Sequence, residues 1–511
     1  MDIKNRIFPN LYQDSVSLMQ ISAQIAGLDG IEQASVVMGT PANIVQLQDA
    51  GLGQEFKAGP NDLIIAVRGN AAACDAALEL AQTRLTAKPA SDEGGIRKVA
   101  PVSLSMGVET MPDASLALIS VPGDYAAAEA IKALQLGLNV MMFSDNVPMA
   151  QEVQIKQLAS QKHRIVMGPD CGTAIINGIP LGFANVVKRG AIGVVAASGT
   201  GLQEVTCRID QLGEGVSQAL GTGGHDLHEE VGGISMLYGL QALIEDDATQ
   251  VIVLVSKPPA QVVADKIMAR ASAAGKPVVV HFLGAPRDAV APQGITFAHT
   301  LGDAAEVAVA QLRHQAIPAS IASLAAADAT KLDALCAALP AGRKDIRGVF
   351  AGGTFCFEAQ LICQQAGFVA SSNTPVAGNK TLTDLWTGHG HTVVDMGDDA
   401  YTRGRPHPMI DPTLRNARIL SDMADPATAV VLFDLVLGYG AAAAPADALL
   451  HALQDAPRGP VLVAHVCGTE ADPQVRQRQV DALRAAGVLV AGSNAEAAVW
   501  ASHIARQQAG R

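Results

Sequence analysis

Two short turns hold the clearest chemical potential in this sequence: Ser198-Gly199-Thr200-Gly201 and Gly352-Gly353-Thr354. Each follows an apolar run and precedes a helical pattern, so each opens a helix. The first amides of a helix lack partners, and its N-terminus carries about half a positive charge. Glycine lets a ligand approach the backbone closely, and a Ser or Thr hydroxyl adds a donor. Two related turns facing one another could hold one anion, such as a phosphoryl group. A glycine-rich turn at a strand–helix junction also has a plain steric explanation. It is the pairing that points to chemistry.

Two denser polar segments accompany them. GTGGHDLHEEVGG (221–233) places His225 and His228 after glycines, beside Asp226, Glu229 and Glu230. An imidazole there can act as general acid or base, phosphoryl acceptor or metal ligand. His225 is the catalytic candidate, and His228, three residues on, a substrate contact. The plainer reading is loop histidines bonded to carboxylates. GHGHTVVDMGDDAYTRGRPHPMID (388–411) gathers His389, His391, Asp395, Asp398, Asp399, Arg403, Arg405 and His407. Arg403 and Arg405 suit bidentate binding of a carboxylate or phosphate, with His407 beside them. Its aspartates could hold a divalent metal, although no standard ligand motif is present. Asn146 in SDNVP and Cys171 in GPDCGT end earlier strands and complete the candidate substrate contacts. A cysteine in that setting is also simply small and packable. Lys257 in VSKPP could contact an anion or point to solvent.

The elements that position these residues are read from the apolar pattern. Residues 1–95 form a small α+β domain, followed by a polar linker at 86–101. From Ser115 short continuous apolar runs alternate with helical stretches, as in a parallel sheet buried on both faces. New units begin at Gly190 and Asp345, and they match element by element. GVVAASGTGLQEVTCRI (193–209) parallels GVFAGGTFCFEAQLIC (348–363), and TQVIVLVSKPP (249–259) parallels TAVVLFDLVLG (428–438). KPVVVHFLGA (276–285) parallels GPVLVAHVCGT (459–469), and TFAHTLGDAAEVAVAQL (296–312) parallels VLVAGSNAEAAVWASHI (488–504). Four matches in one order mean an internal duplication, with an alanine-rich helical linker at 316–344 between the copies. The expected fold class is therefore α/β, doubly wound, with function at the carboxyl ends of the strands.

Composition bounds the partners. With 511 residues, three or four domains are expected. A net charge of −13 gives no general footprint for nucleic acid or an anionic membrane. The amino terminus lacks the apolar core of a signal peptide and no 18-residue apolar run occurs, so a cytoplasmic protein is expected. Seven cysteines without a CxxC pair argue against a disulfide framework or a structural zinc site.

The segment MGPDCGTAIIN…GAIGVVAASGTGLQEV resembles the part of succinyl-CoA synthetase α subunits that reads IGPNCPG…GIVSRSGTL. SVPGDYAAAEAI…FSDNVP is similar to that family's VPPPFAA…ITEGIP, and the AGGTFCFEAQ turn resembles the carboxy-terminal domain of the β subunit. The resemblance spans about residues 115–511; with GGHDLHEE and the 388–411 segment, the whole is similar to the FdrA family. It implies a Rossmann-like CoA-binding-type domain at 100–189 and two duplicated flavodoxin-like succinyl-CoA-ligase-type domains at 190–315 and 345–511.

In succinyl-CoA synthetases the equivalent helices point at a phosphohistidine. No RMGHAGA motif follows HFLGAPRD here, and His299 in the next strand does not replace it. A KGGQ-type stretch and an ATP-grasp match are also missing. The resemblance then favours transfer between an acyl or carbamoyl phosphate and an acceptor. The leading expectation is the large subunit of an oxamate carbamoyltransferase of allantoin degradation, interconverting oxalurate plus phosphate with oxamate plus carbamoyl phosphate. It would assemble with itself or with smaller partner subunits. The alternative is an NDP-forming acyl-CoA synthetase with His225 as phosphoryl acceptor; a third is a non-catalytic scaffold. Phosphate or carbamoyl phosphate is the expected small-molecule substrate, with CoA or Mg less favoured and any metal unknown.

Overall fold

A computed structural model describes residues 2–86, 101–285, 291–403, 405–454, 456 and 459–510. They fall into two compact units: Met1–Pro169 with Tyr401–Ile410, and Asp170–Ala400 with Asp411–Arg511. The linker expected at 86–101 lies almost wholly outside the described residues, as does the end of HFLGAPRD, since 286–290 are not described.

The first unit runs β1 (Asp2–Phe8), α1 (Ser15–Ala26), β2 (Ile31–Met38), α2 (Pro41–Asp49), β3 (Leu63–Gly69) and α3 (Ala71–Thr86). It continues α4 (Leu104–Thr110), β4 (Leu116–Ile119), α5 (Gly123–Gln135), β5 (Asn139–Met142), α6 (Met149–Gln161) and β6 (Val166–Met167). β3 is the centre of an antiparallel sheet of order β1-β3-β2. Its alternate side chains are buried on both faces, Leu63, Ile65 and Val67 against Leu18 and Ile25, Ile64 and Ala66 against Leu47 and Leu52. β4, β5 and β6 form a separate parallel sheet covered by the alanines of α5.

The second unit contains the duplication. Its first lobe runs β7 (Thr173–Ile176), β8 (Ile179–Gly182), β9 (Arg189–Ala197), α7 (Gly199–Gln211), β10 (Val216–Gly221) and α8 (Ile234–Glu245). β11 (Val251–Ser256), α9 (Gln261–Ser272), β12 (Val278–Phe282), β13 (Ile295–Phe297) and α10 (Leu301–Leu312) complete it. After α11 (Ala326–Ala338), the second lobe runs β14 (Asp345–Phe350), α12 (Gly353–Gln365), β15 (Ser371–Ser372), β16 (Lys380–Thr381), β17 (Thr392–Asp395) and α13 (Asp399–Thr402). It ends with α14 (Thr413–Ala424), β18 (Thr428–Val436), α15 (Pro445–Ala452), β19 (Val461–Cys467), α16 (Arg476–Ala485), β20 (Leu489–Ala491) and α17 (Asn494–Ala509).

The five parallel strands take the same order in both sheets, β13-β12-β11-β9-β10 and β20-β19-β18-β14-β17. The expected α/β fold with duplicated lobes is the one observed. Among the described residues the two sheets differ at one edge: the first lobe adds the antiparallel β7–β8 hairpin, the second the short parallel strands β15 and β16. The central strands β11 and β18 are buried throughout, as their unbroken apolar runs require.

Two boundaries shift from the sequence reading. The β7–β8 hairpin, read as the end of a 100–189 domain, pairs with β10 and so belongs to the first lobe's sheet. The helical linker is tied to the second lobe: Gln508 Nε2 donates to the Cys336 carbonyl at 2.7 Å, and Leu332 and Cys336 are buried. Among the described residues no helix is long and apolar enough to cross a membrane.

Candidate active site

The two glycine turns follow the central strands β9 and β14, and each opens a helix of 13 residues. Ser198 caps α7 by accepting the Gly201 amide at 3.0 Å. At α12 the cap is Gly352, where a Cβ would lie 3.0 Å from Thr200 Cγ2 and 3.1 Å from Asp434 Oδ2. The turns meet: Ser198 Oγ and Thr354 Oγ1 are hydrogen-bonded at 2.6 Å. Helix geometry leaves the amides of Gly199, Thr200, Gly353 and Thr354 without intrahelical partners. The structure therefore brings all seven turn residues together, one helix start from each lobe.

Carboxylates line the α12 side. Asp434, inside β18, accepts the amides of Ala351 and Gly352, each at 2.7 Å, so the Gly352 amide is engaged. Burial raises Asp434 above the usual carboxylate range, against the pull of the Arg415 guanidinium. Asp395 ends β17, and a Cβ on Gly353 would stand 2.5 Å from its Oδ2. Burial pushes the Asp395 carboxyl up to about 7, while the charge of Lys257 pulls it down. Lys257 lies just beyond β11 of the other lobe, its Nζ 6.0 Å from the Phe357 ring centroid.

A second set of charged groups lies deeper, where α7 and α12 face strands of the opposite lobe. Glu204, the sixth residue of α7, accepts from His465 Nε2 at 2.7 Å, both groups being buried. Burial opposes ionisation of Glu204, but the charge and hydrogen bond of His465 hold it below its ordinary value. The matching residues are Glu358, the sixth of α12, and His281 of β12. Glu358 accepts the Leu301 amide and Asn494 Nδ2, both at 2.8 Å, and burial pushes it up to about 7. His281 Nδ1 is 3.0 Å from the Ala298 carbonyl, which can only accept, so Nδ1 bears the hydrogen. Burial pushes this imidazole down to about 4, and its buried Nε2 has no partner. A cavity of about 190 Å³ lined by His281, His299, Glu358 and Leu361 lies here.

The other sequence candidates fall elsewhere. His225 and His228 are exposed on consecutive turns rather than a helix, ring centroids 5.1 Å apart. Asp226 between them caps α8, accepting Ser235 N at 3.1 Å and Met236 N at 2.8 Å. Cys171 is buried, its sulfur 3.5 Å from the carbonyls of Thr173 and Gly221. The 388–411 segment is divided between units: Arg403, Arg405 and His407 belong with the first, as does the exposed Asn146, while His389, His391, Asp395, Asp398 and Asp399 belong with the second. Burial lowers Arg405, with Arg68 adding to it, and pushes His407 down to about 4. His391 Nδ1 accepts Ile346 N at 3.1 Å and its ring stands edge-on to Phe368, a packing role. Among the described residues no group of three or more His, Cys, Asp or Glu could hold a metal ion.

Sequence reasoning singled out Asp395 only within a crowd and Lys257 only in passing; it missed Asp434, Glu204, Glu358, His281 and His465. The available signal was a charged or imidazole residue inside an unbroken apolar strand, as in VLFDLV and VVVHF, or at one matched position of both helices.

Comparison with known proteins bears on these lobes. Residues 349–504 match the CoA-ligase family model, and residues 187–284 the model for a CoA binding domain. Residues 1–101 match a model described as AllF, heavy metal-associated domain; Cys74, their one cysteine, is buried. The uncharacterized protein YahF of Escherichia coli (strain K12) is 41% identical over 503 residues, 97% of each chain. The succinate–CoA ligase [ADP-forming] subunit alpha of Methanothermobacter thermautotrophicus is 29% identical over 184 residues, 34% of this chain and 60% of that subunit. A solved structure, the dinucleotide forming acetyl-coenzyme A synthetase 1 of Ca. Korarchaeum cryptofilum with phosphate and ADP, aligns with 77% of this chain and 83% of its own. Its TM-score is 0.32 and its identity 13%.

Proposed function

Because the chain belongs to the same family as Escherichia coli YahF, its first lobe matching a CoA binding domain and its second the CoA-ligase model, we propose that it is a ligase-type enzyme handling an acyl phosphate and CoA. The observation that supports this reading is the meeting of the two helix starts through Ser198 and Thr354. Amides from both lobes can then donate to one phosphoryl group, with a lysine from one lobe and a carboxyl from the other beside it. Donors fixed before the reaction stabilise charge that develops on the phosphoryl oxygens as the acyl–oxygen bond breaks. CoA, less favoured from the sequence, becomes the leading acceptor, since its thiol can take the acyl group as phosphate leaves. Smaller partner subunits and self-assembly stay part of this reading.

The finer assignment, an FdrA-type large subunit that transfers a carbamoyl group in allantoin degradation, draws no support from these relatives and gives way to the CoA-dependent reading. One experiment separates them. Purified protein is given CoA with acetyl, succinyl or carbamoyl phosphate, and both thioester and released phosphate are followed. Thioester that is lost in a Gly199→Val, Gly353→Val double variant supports the proposal. No thioester from any acyl phosphate, with phosphate-dependent cleavage of oxalurate instead, would replace it with the carbamoyl reaction.

A further inference from the structure

Charge from distant stretches of sequence converges on the start of α12. Asp395 ends β17 beneath Gly353, Lys257 follows β11 of the other lobe, and Thr354 meets Ser198. Building on the acyl-phosphate reading above, we propose that Asp395 is the proton-transfer group of this site and that Lys257 binds the anionic group of the substrate.

The geometry favours Asp395 over the other acids. Its main chain is clamped on both sides by Asn373, whose Nδ2 donates to the Asp395 carbonyl at 2.9 Å and whose Oδ1 accepts its amide at 3.0 Å. Oδ1 of the carboxyl accepts Gly397 N at 2.9 Å, and Oδ2 takes the space that a side chain at position 353 would fill. One oxygen is thus committed to the backbone and the other lies against the helix start. Asp434, by contrast, uses both oxygens on Ala351 and Gly352.

The charged groups acting on Asp395 are Lys257, which favours its ionised form, and Asp398 and Asp434, which oppose it. With burial as the largest influence the carboxyl comes to about 7, where an acid–base group works near neutral pH. Lys257 is exposed, so its ammonium can meet an incoming anion.

The step balances without oxidant or nucleotide. The CoA thiol gives its proton to Asp395 Oδ2 while the sulfur electron pair forms a bond to the acyl carbon. The bond from that carbon to the phosphoryl oxygen breaks, and phosphate leaves with the electron pair. Asp395 then returns the proton to the departing phosphate.

The test uses the full chain labelled with ¹³C at aspartate Cγ, the Asp395 resonance being assigned by its loss in the near-isosteric Asp395→Asn variant. The wild-type resonance should titrate near 7, and its midpoint should rise in Lys257→Met. Inorganic phosphate should raise the midpoint in wild type and lose that effect in Lys257→Met. In the thioester assay Asp395→Asn should lose about 10²–10⁴-fold in rate together with the acid limb of the pH profile. A midpoint near the ordinary 3.8, or one indifferent to Lys257 and to phosphate, overturns the site even if the wild type turns over. The expected titration in a wild type that forms no thioester overturns the reaction and leaves the anion site standing.

Discussion

The two lobes share strand order and the length of their leading helices, yet one matched pair of side chains fares differently in each. Glu204 on α7 is closed upon by His465, whereas Glu358 on α12 is held by a backbone amide and an asparagine while His281 turns to a carbonyl. One site is a buried carboxylate closed by an imidazole donor and the other a buried acid and a neutral imidazole beside a cavity. The duplication has kept the backbone and let the chemistry diverge. A strand ladder constrains every residue it contains, but a buried side chain needs only some partner.

The largest test of this contrast is the fixed pair. His465→Ala leaves the buried Glu204 carboxylate without its hydrogen-bond donor, which should cost about 3 kcal/mol in urea unfolding. His281→Ala should cost clearly less, because that imidazole donates to no carboxylate; equal losses would erase the contrast.

The lobes should also respond to pH in opposite senses. Glu358 is raised from 4.5 to about 7, so the folded state holds a proton that the unfolded chain has released. Its contribution is present below the unfolded value and is lost as pH rises through about 7, on the order of 3 kcal/mol in all. Glu204 is lowered, so its contribution is present above 4.5 and is lost as pH falls through its folded value. Thermal melts across pH should show Glu358→Gln removing the neutral-side decline and Glu204→Gln changing the acid side.

Smaller effects separate the turns. Gly353→Ala drives a methyl against Asp395 Oδ2 and should cost about 1–3 kcal/mol, while the matched Gly199→Ala meets nothing closer than Thr173 Oγ1 at 3.9 Å. Similar midpoints for both variants in denaturant titration would contradict the contrast. Finally, Ser198→Ala removes a helix cap as well as the hydroxyl contact and should cost about 1–2 kcal/mol, more than Thr354→Val at about 1. A reversed order in paired unfolding curves would remove the capping difference.

Much of this scaffold was readable in advance. VIVLVS and TAVVLFDLV are apolar without interruption, and a strand buried on both faces has no other pattern. The matched order of eight segments revealed the repeat, and with it the two turns. What could not be read was partnership. His465 is 261 residues from Glu204, and no local pattern couples them. Composition made 388–411 look like one site, yet whether a loop residue packs with one unit or another is decided by the folded surface it meets.

The Glu204–His465 pair also sets a timetable. His465 is made 261 residues after Glu204, and at about 5–20 residues per second that interval is roughly 13–52 s. Until then Glu204 has no His465 to bond. The hydrogen bond between the lobes closes only after β19 has been made, so the last layer over this face of α7 comes from the far end of the chain.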